Sequence, residues 1–355
     1  MMIQSIRHPS ALSQASVRGI GAVMRPGRAA DVDSLYRLAT LGGTGLTNLP
    51  PDRSVLANKL IATEEALQDS GARERGAAIL LIAEDAQGAI VGTSCVFPRV
   101  GIDWPFYSYR VTRQALDSRA AGKRSGQKLL MLANDFDGEA EVGGLFVDPA
   151  ARHLALGKLA ARSRYLFIAQ HRDWFGRIVI AELRGWQDAT GRSPVWEAIG
   201  RHFYDMSLAE ADRFGAIHGN QFIADLGPRH PLYVSMLPPE AQAALGRPHQ
   251  DGEAAHRMLM VEGFRDQGYV DIFDGGPTPV AMIDELAAVR DCHAAPVVPS
   301  TEGEAVDALV AAGGGADFRA ARVTLRGCDA GVSLGAEDSR RLRLEAGETV
   351  RWCPF

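Results

Sequence analysis

Residues 139–184 read EAEVGGLFVDPAARHLALGKLAARSRYLFIAQHRDWFGRIVIAELR, and this stretch decides the fold. Residues 142–147 are β-rich and stop at Asp148-Pro149, because proline cannot continue a ladder and aspartate favours turns. Leu154, Leu156, Leu159, Ala160, Ser163, Tyr165, Leu166 and Ile168 then trace a helical stripe. A second β-rich run, 178–182, follows. The unit is strand, turn, helix, strand. Its turn, 152–157, puts small residues at the start of the helix, where N–H groups lack intrahelical partners and attract anions. Arg152 and Lys158 add positive charge. The turn reads either as a phosphate cradle or as an ordinary strand-to-helix connection.

Around this unit, residues 31–38 and 52–71 have helical spacing, Asp31 or Asp33 being placed to cap the first. Apolar runs 77–84 and 89–98, joined by Asp85-Ala86-Gln87-Gly88, predict a hairpin. The aromatic group Trp104, Phe106, Tyr107 and Tyr109 reads as its continuation. Together they predict a mixed α/β sheet. Residues 42–51, GGTGLTNLPP, read as a connector or as a lid over a substrate. Residues 193–203 and 253–264 share a helix-then-Gly/Phe ending, which hints at a duplicated α/β unit. Residues 292–315 are rich in alanine, proline and glycine and read mostly as a linker. Alternation in 316–355 predicts a small β module. Residues 1–23 carry Arg7, Arg18 and several serines, unlike a secretory signal, and read as a disordered extension. The expected organisation is therefore 1–23 extension, 24–205 first unit, 206–291 second unit, 292–315 linker and 316–355 β module.

The chain of 355 residues is long enough for more than one domain, and a hydrophobic content of 46% supports a sizeable core. A net charge of −5 argues against nucleic-acid binding, which needs a basic face. No apolar run reaches membrane-spanning length. The cysteines Cys95, Cys292, Cys328 and Cys353 are scattered, which suggests neither a disulfide frame nor a zinc knuckle and points to the cytoplasm.

The 139–184 unit resembles the acyl-CoA-binding segment of the GNAT acyltransferases, whose Arg/Gln-x-x-Gly-x-Gly/Ala turn holds the coenzyme diphosphate. Arg152, Ala155 and Gly157 take those places, with alanine standing where glycine is usual. Further blocks are similar, in order, to the bacterial arginine N-succinyltransferase family: GGTGLTNLP, DWPFYSYRV, LANDFDG, GLFVDP, AELRG, RHPLY and YVDIFDGGPT. This resemblance spans roughly residues 24–290. It implies succinyl-CoA as co-substrate with no permanently bound cofactor, L-arginine as acceptor, and direct attack without a covalent enzyme intermediate. It implies Leu145 as the main-chain donor to the thioester oxygen, Val147 along the pantetheine arm, and Arg152, Ala155, Gly157 and Lys158 at the diphosphate. His249 takes the family's proton-donor position, with His230 in reserve. The tyrosine acid usual in the wider superfamily is replaced by Trp196 and Leu259. A guanidinium favours carboxylates, and Asp135, Glu182, Asp271 and Asp274 are candidates for it. Arg110 and Arg184 are candidates for the succinyl carboxylate. Ornithine or another amine as acceptor, and a non-catalytic acyl-CoA-binding subunit, are the competing readings. A homo-oligomer, or a hetero-oligomer with a paralogous subunit, is the expected assembly.

Overall fold

The fold is that of a computed structural model, which describes residues 21–42, 49–299 and 302–355. Residues 43–48 of the glycine-rich segment and residues 1–20 of the expected extension lie outside the described residues.

The strands, in chain order, are β1 (Val23–Pro26), β2 (Ile79–Glu84), β3 (Ile90–Phe97), β4 (Ser108–Ser118) and β5 (Lys123–Ala133). Next come β6 (Ala140–Val147), β7 (Ile178–Ile180), β8 (Leu232–Tyr233), β9 (Tyr269–Asp271) and β10 (Val280–Met282). The last are β11 (His293–Pro296), β12 (Ala305–Ala312), β13 (Arg319–Cys328), β14 (Gly331–Leu334) and β15 (Thr349–Pro354). They form an 11-stranded sheet in the order β10-β7-β6-β3-β2-β1-β13-β12-β15-β11, with β14 beside β13. A second, 4-stranded sheet runs β8-β5-β4-β9.

Helices cover both faces of the large sheet, and the strand alternation shows why. In β2, Ile79, Leu81 and Ala83 pack on one side with Leu159, Leu166 and Phe167 of the helix Leu156–Gln170. Leu80 and Ile82 face the other side, against Leu35, Leu38, Leu56 and Leu60 from the helices Val32–Gly42 and Arg53–Gln68. A strand apolar on both faces belongs inside a layered α/β fold. Asp52 caps the second of these helices, its carboxylate accepting the N–H groups of Ser54 and Val55. The hairpin over β2 and β3 forms as expected.

Three segments are placed differently from the sequence expectation. The aromatic stretch leads into β4, which pairs with β5 in the second sheet rather than continuing the first. Residues 206–291 do not close a sheet of their own: β8 and β9 flank β5 and β4, while β10 pairs with β7. The two helix-then-Gly/Phe blocks accordingly sit in different cores, Trp196 under the second sheet and Leu259 with Phe264 under the first. Finally, the linker region 292–315 contains β11 and β12. Alanine there fills the tight space beside its neighbours, Ala308 and Ala311 being buried. The C-terminal segment is mostly β but carries a helix, Ala336–Leu342, where the alternation suggests strand, and it joins the large sheet through Met24 opposite Ala320.

Candidate active site

β6 and β7 are parallel and pair only at Ala140 with Val179 and Glu141 with Ile180. Beyond that point they part. Ala181 and Leu183 turn their N–H groups away, to the carbonyls of Pro279 and Pro277 at 3.0 and 3.1 Å. The split opens a cavity of about 930 Å³ lined by residues 142–146 on one wall and 181–184 on the other.

β6 is also bulged. Thr93 pairs with Phe146 and Cys95 with Gly143, so Gly144 and Leu145 together oppose Ser94. Gly144 takes φ +56°, which favours glycine, and its carbonyl accepts the Thr93 hydroxyl at 3.0 Å. A bulge leaves one residue out of the ladder and inverts the alternation. Ala140 and Val142 share a core with Val147, while Phe146 packs on the opposite face. Leu145 therefore borders the cavity and Val147 does not: its side chain is buried in the core.

The strand exit is fixed by Asp148, which accepts the Ala150 N–H at 3.0 Å and the Arg37 guanidinium at 3.0 Å. A 3-10 turn (Pro149–Leu154) follows, and then Ala155 adopts φ +53° before the helix Leu156–Gln170 begins. The left-handed Ala155 carries a strain that glycine at this position would avoid. No side chain caps this helix, so its first N–H groups point outward. A Cβ at Gly157 would meet nothing within 4 Å, which leaves the approach to them open. Ala155 and Gly157 therefore do not line the cavity; Arg152 and Lys158 do. The Lys158 ammonium lies 4.5 Å from the Phe355 ring centre. Its pKa is lowered by burial and then by the charges of Arg162 and Arg322. Neither Arg152 nor Lys158 makes an ion pair among the described residues, while the nearby Arg162 and Arg322 are paired with Glu262 and Asp307.

His249 comes from a loop far along the chain. Its N–H donates to the Arg184 carbonyl at 2.8 Å, the Trp186 N–H donates to the Arg247 carbonyl at 2.9 Å, and Gly185 bridges Pro248. The loop is thus laced to the outer wall, and His249 lines the cavity with a side chain 15% exposed. Its Nδ1 accepts the Asp251 N–H at 3.2 Å. An accepting Nδ1 places the proton of the neutral ring on Nε2. His230 is exposed and away from the cavity.

The remaining candidates separate clearly. Arg184 lines the cavity, whereas Arg110 is held by Asp135 at 3.4 Å. Sequence reasoning missed Arg164, which is 4% exposed, lines the cavity and donates to the Gly143 carbonyl at 3.2 Å. It also missed Phe355, because nothing local marks a C-terminal residue as a neighbour of the cradle.

The Glu141 carboxyl is pushed up to about 7 by burial, with Arg164 opposing the shift. Between the ordinary carboxylate range and about 7 the folded chain thus holds a proton that the unfolded chain has lost. Stability must fall as pH rises through that window. Glu182 and Asp271 are shifted in the same direction, chiefly by burial, and add to the slope. Calorimetry between pH 5 and 8 is expected to show a falling Tm, with a smaller fall in Glu141→Gln.

Splayed parallel strands, a bulge between them and an uncapped helix N-terminus with unpaired cations define the class. This is an acyltransferase with a GNAT-like mixed α/β sheet, of the kind that takes an acyl-CoA. The model of the arginine N-succinyltransferase beta subunit matches residues 22–288, and that of its C-terminal domain matches 291–354. The arginine N-succinyltransferase subunit beta of Pseudomonas aeruginosa is 38% identical over 335 residues, 94% of this chain and 98% of that one. The arginine N-succinyltransferase of Yersinia pseudotuberculosis is 38% identical over 340 residues, 92% and 96% of the two chains. Among solved structures, the arginine/ornithine succinyltransferase subunit AI of Pseudomonas aeruginosa superposes with a TM-score of 0.84 at 31% identity, covering 95% and 99%. The chain belongs to the arginine N-succinyltransferase family.

Proposed function

We propose that the chain transfers a succinyl group from succinyl-CoA to the α-amino group of L-arginine. The observation that carries this reading is the cavity in the β6–β7 split, which joins the cationic helix start to the bulge and to His249. The names of the relatives support the choice of acyl group and acceptor.

In this reading the diphosphate lies on the open N–H groups at the start of the helix Leu156–Gln170, between Arg152 and Lys158. The thioester oxygen lies against the Leu145 N–H, at the bulge where Gly144 and Leu145 together oppose Ser94. A fixed donor in a dry site stabilises the oxyanion without reorganisation. The acceptor ammonium loses one proton to water, and its nitrogen attacks the carbonyl carbon. On collapse the C–S bond breaks, and the nitrogen sheds a second proton. The thiolate takes a proton from Nε2 of His249 in its imidazolium form, which the Asp251 carboxylate 3.5 Å from Nδ1 supports; the neutral ring left behind later recovers a proton from solvent. Arg184, on the outer wall, suits the succinyl carboxylate.

Thiol release from succinyl-CoA on addition of arginine tests the assignment, and equal rates with acetyl-CoA would remove the succinyl group from it. Arg152→Ala and Lys158→Ala are each expected to raise KM for the acyl-CoA roughly tenfold, the scale of one charge-assisted contact at an open site. The loss shrinks as salt rises. Steady-state kinetics at two ionic strengths measure it. The word "subunit" in two relatives' names supports an assembly of like or paralogous chains, and the absence of a membrane-spanning helix among the described residues is compatible with a cytoplasmic site of action.

A further inference from the structure

Deep in the outer wall of the cavity sits a group of carboxyls that acyl transfer as such does not require. Glu182 lines the cavity, and the carboxyl of Asp271 is the neighbour that acts on it most strongly. Asp271 Oδ1 accepts the N–H groups of Phe273 and Asp274 at 2.7 and 2.8 Å, and Asp274 Oδ1 accepts that of Gly276 at 2.9 Å. Asp274 is 8% exposed. The charges that act on Glu182 and Asp271 most strongly are carboxylates, and both groups are held well above the ordinary carboxylate range, chiefly by burial. Among the described residues no lysine or arginine makes an ion pair with either.

A second, independent feature lies beside them. Ser108 is the cross-strand partner of Asp271, so the two side chains share one face of the second sheet. Ser108 is 1% exposed, and its hydroxyl has no hydrogen-bond partner. Buried hydroxyls are ordinarily satisfied. A buried hydroxyl without a partner, across the strand from an acid that no described lysine or arginine pairs with, marks a polar recess behind the wall that meets the cavity at Glu182. The other acidic candidate, Asp135, has no such vacancy. It is engaged by Arg110 at 3.4 Å and by the Tyr269 hydroxyl at 2.7 Å.

We propose that Glu182, beside Asp271, receives the cationic side chain of the acceptor, and so favours amino acids that carry one over their neutral isosteres. This rests on the acyl-transfer reading above. A planar guanidinium presents parallel donors and suits a carboxylate pair. On its arrival the buried carboxyls gain a cationic partner.

Arginine and citrulline separate the charge from the shape, since citrulline is the neutral isostere. In the full chain, Glu182→Gln is expected to raise KM for arginine by about 10- to 100-fold, the worth of one charge-assisted contact in a sheltered site. kcat with arginine should stay within about twofold, as for an interaction present equally in the ground and transition states. Kinetics with citrulline should not change. Asp271→Asn should act in the same direction and more weakly. Calorimetric binding of CoA reports folding of each variant, and if Asp271→Asn loses it, Glu182→Gln alone decides. Equal losses with arginine and citrulline would assign the acids to structure and overturn the proposal; so would a fall in kcat with an unchanged KM for arginine. Should arginine prove to be no acceptor at all, the proposed function fails by itself. The amine that does react must then be cationic in its side chain and lose affinity in Glu182→Gln, and a neutral acceptor used equally by both enzymes refutes the inference.

Discussion

Replacing His249 by alanine is expected to lower kcat by about 10²- to 10⁴-fold, the usual range for loss of a positioned acid or base. KM for succinyl-CoA should change little, because the proposed diphosphate site, at the start of the helix Leu156–Gln170, is on another element. The geometry predicts the direction of proton flow. Nδ1 is turned to Asp251, so Nε2 is the nitrogen that passes a proton to the thiolate when the ring is an imidazolium. A leaving thiolate needs that proton only as the C–S bond breaks, which places the loss in kcat. The backbone of the loop is tied to Arg184 through N–H to carbonyl bonds, so truncating the side chain leaves the wall standing. Thiol release by the purified variant gives the answer. Activity untouched by the substitution would remove His249 from the chemistry and return attention to water as the donor. If the unaltered chain itself bound acyl-CoA and released no thiol with any amine, the non-catalytic subunit reading would take its place.

Gly276→Ala is expected to cost about 3 kcal/mol or more of stability, at the upper end for overpacking. A Cβ on Gly276 would stand 1.9 Å from the Leu183 carbonyl oxygen and 2.6 Å from the Gly185 nitrogen. Both are backbone atoms, so no side chain can swing away. Gly185 is constrained reciprocally: its Cβ would lie 2.5 Å from the Asp274 carbonyl oxygen. The two glycines let the 271–276 turn press onto the outer cavity wall, which brings Asp271 to Glu182. Denaturant unfolding measures the cost. A loss below about 1 kcal/mol would mean that the turn can retreat, contrary to the close packing of such interiors. The same variant should lose arginine affinity out of proportion to acyl-CoA affinity, since the cradle lies on the other wall.

Much of the site was legible in the order of residues. Asp148-Pro149 stops β6 and starts the turn, and the helical stripe after it needs only local spacing to be seen. Arg152 and Lys158 stand within one turn of the helix start, so chain proximity alone puts them at that end of the cavity. The blocks AELRG and YVDIFDGGPT were recognisable as strings, but their purpose was not. Their glycines matter because residues 185 and 276, far apart in sequence, touch through the backbone.

The sequence by itself determined the strand-turn-helix-strand unit, the hairpin of β2 and β3 and the cationic turn, because each is set by side chains within a few residues of one another. Only the tertiary structure decided three things: that β6 and β7 part after two pairs, that 246–249 folds back to bring His249 to the gap, and that β11 to β15 extend the large sheet. It also separated Leu145 from Val147, since a one-residue bulge inverts which face a strand presents, and no local pattern records which neighbour skips a partner. Long-range pairing is fixed by what each strand must bury against the rest of the chain, and that sum is not written in any single stretch of it.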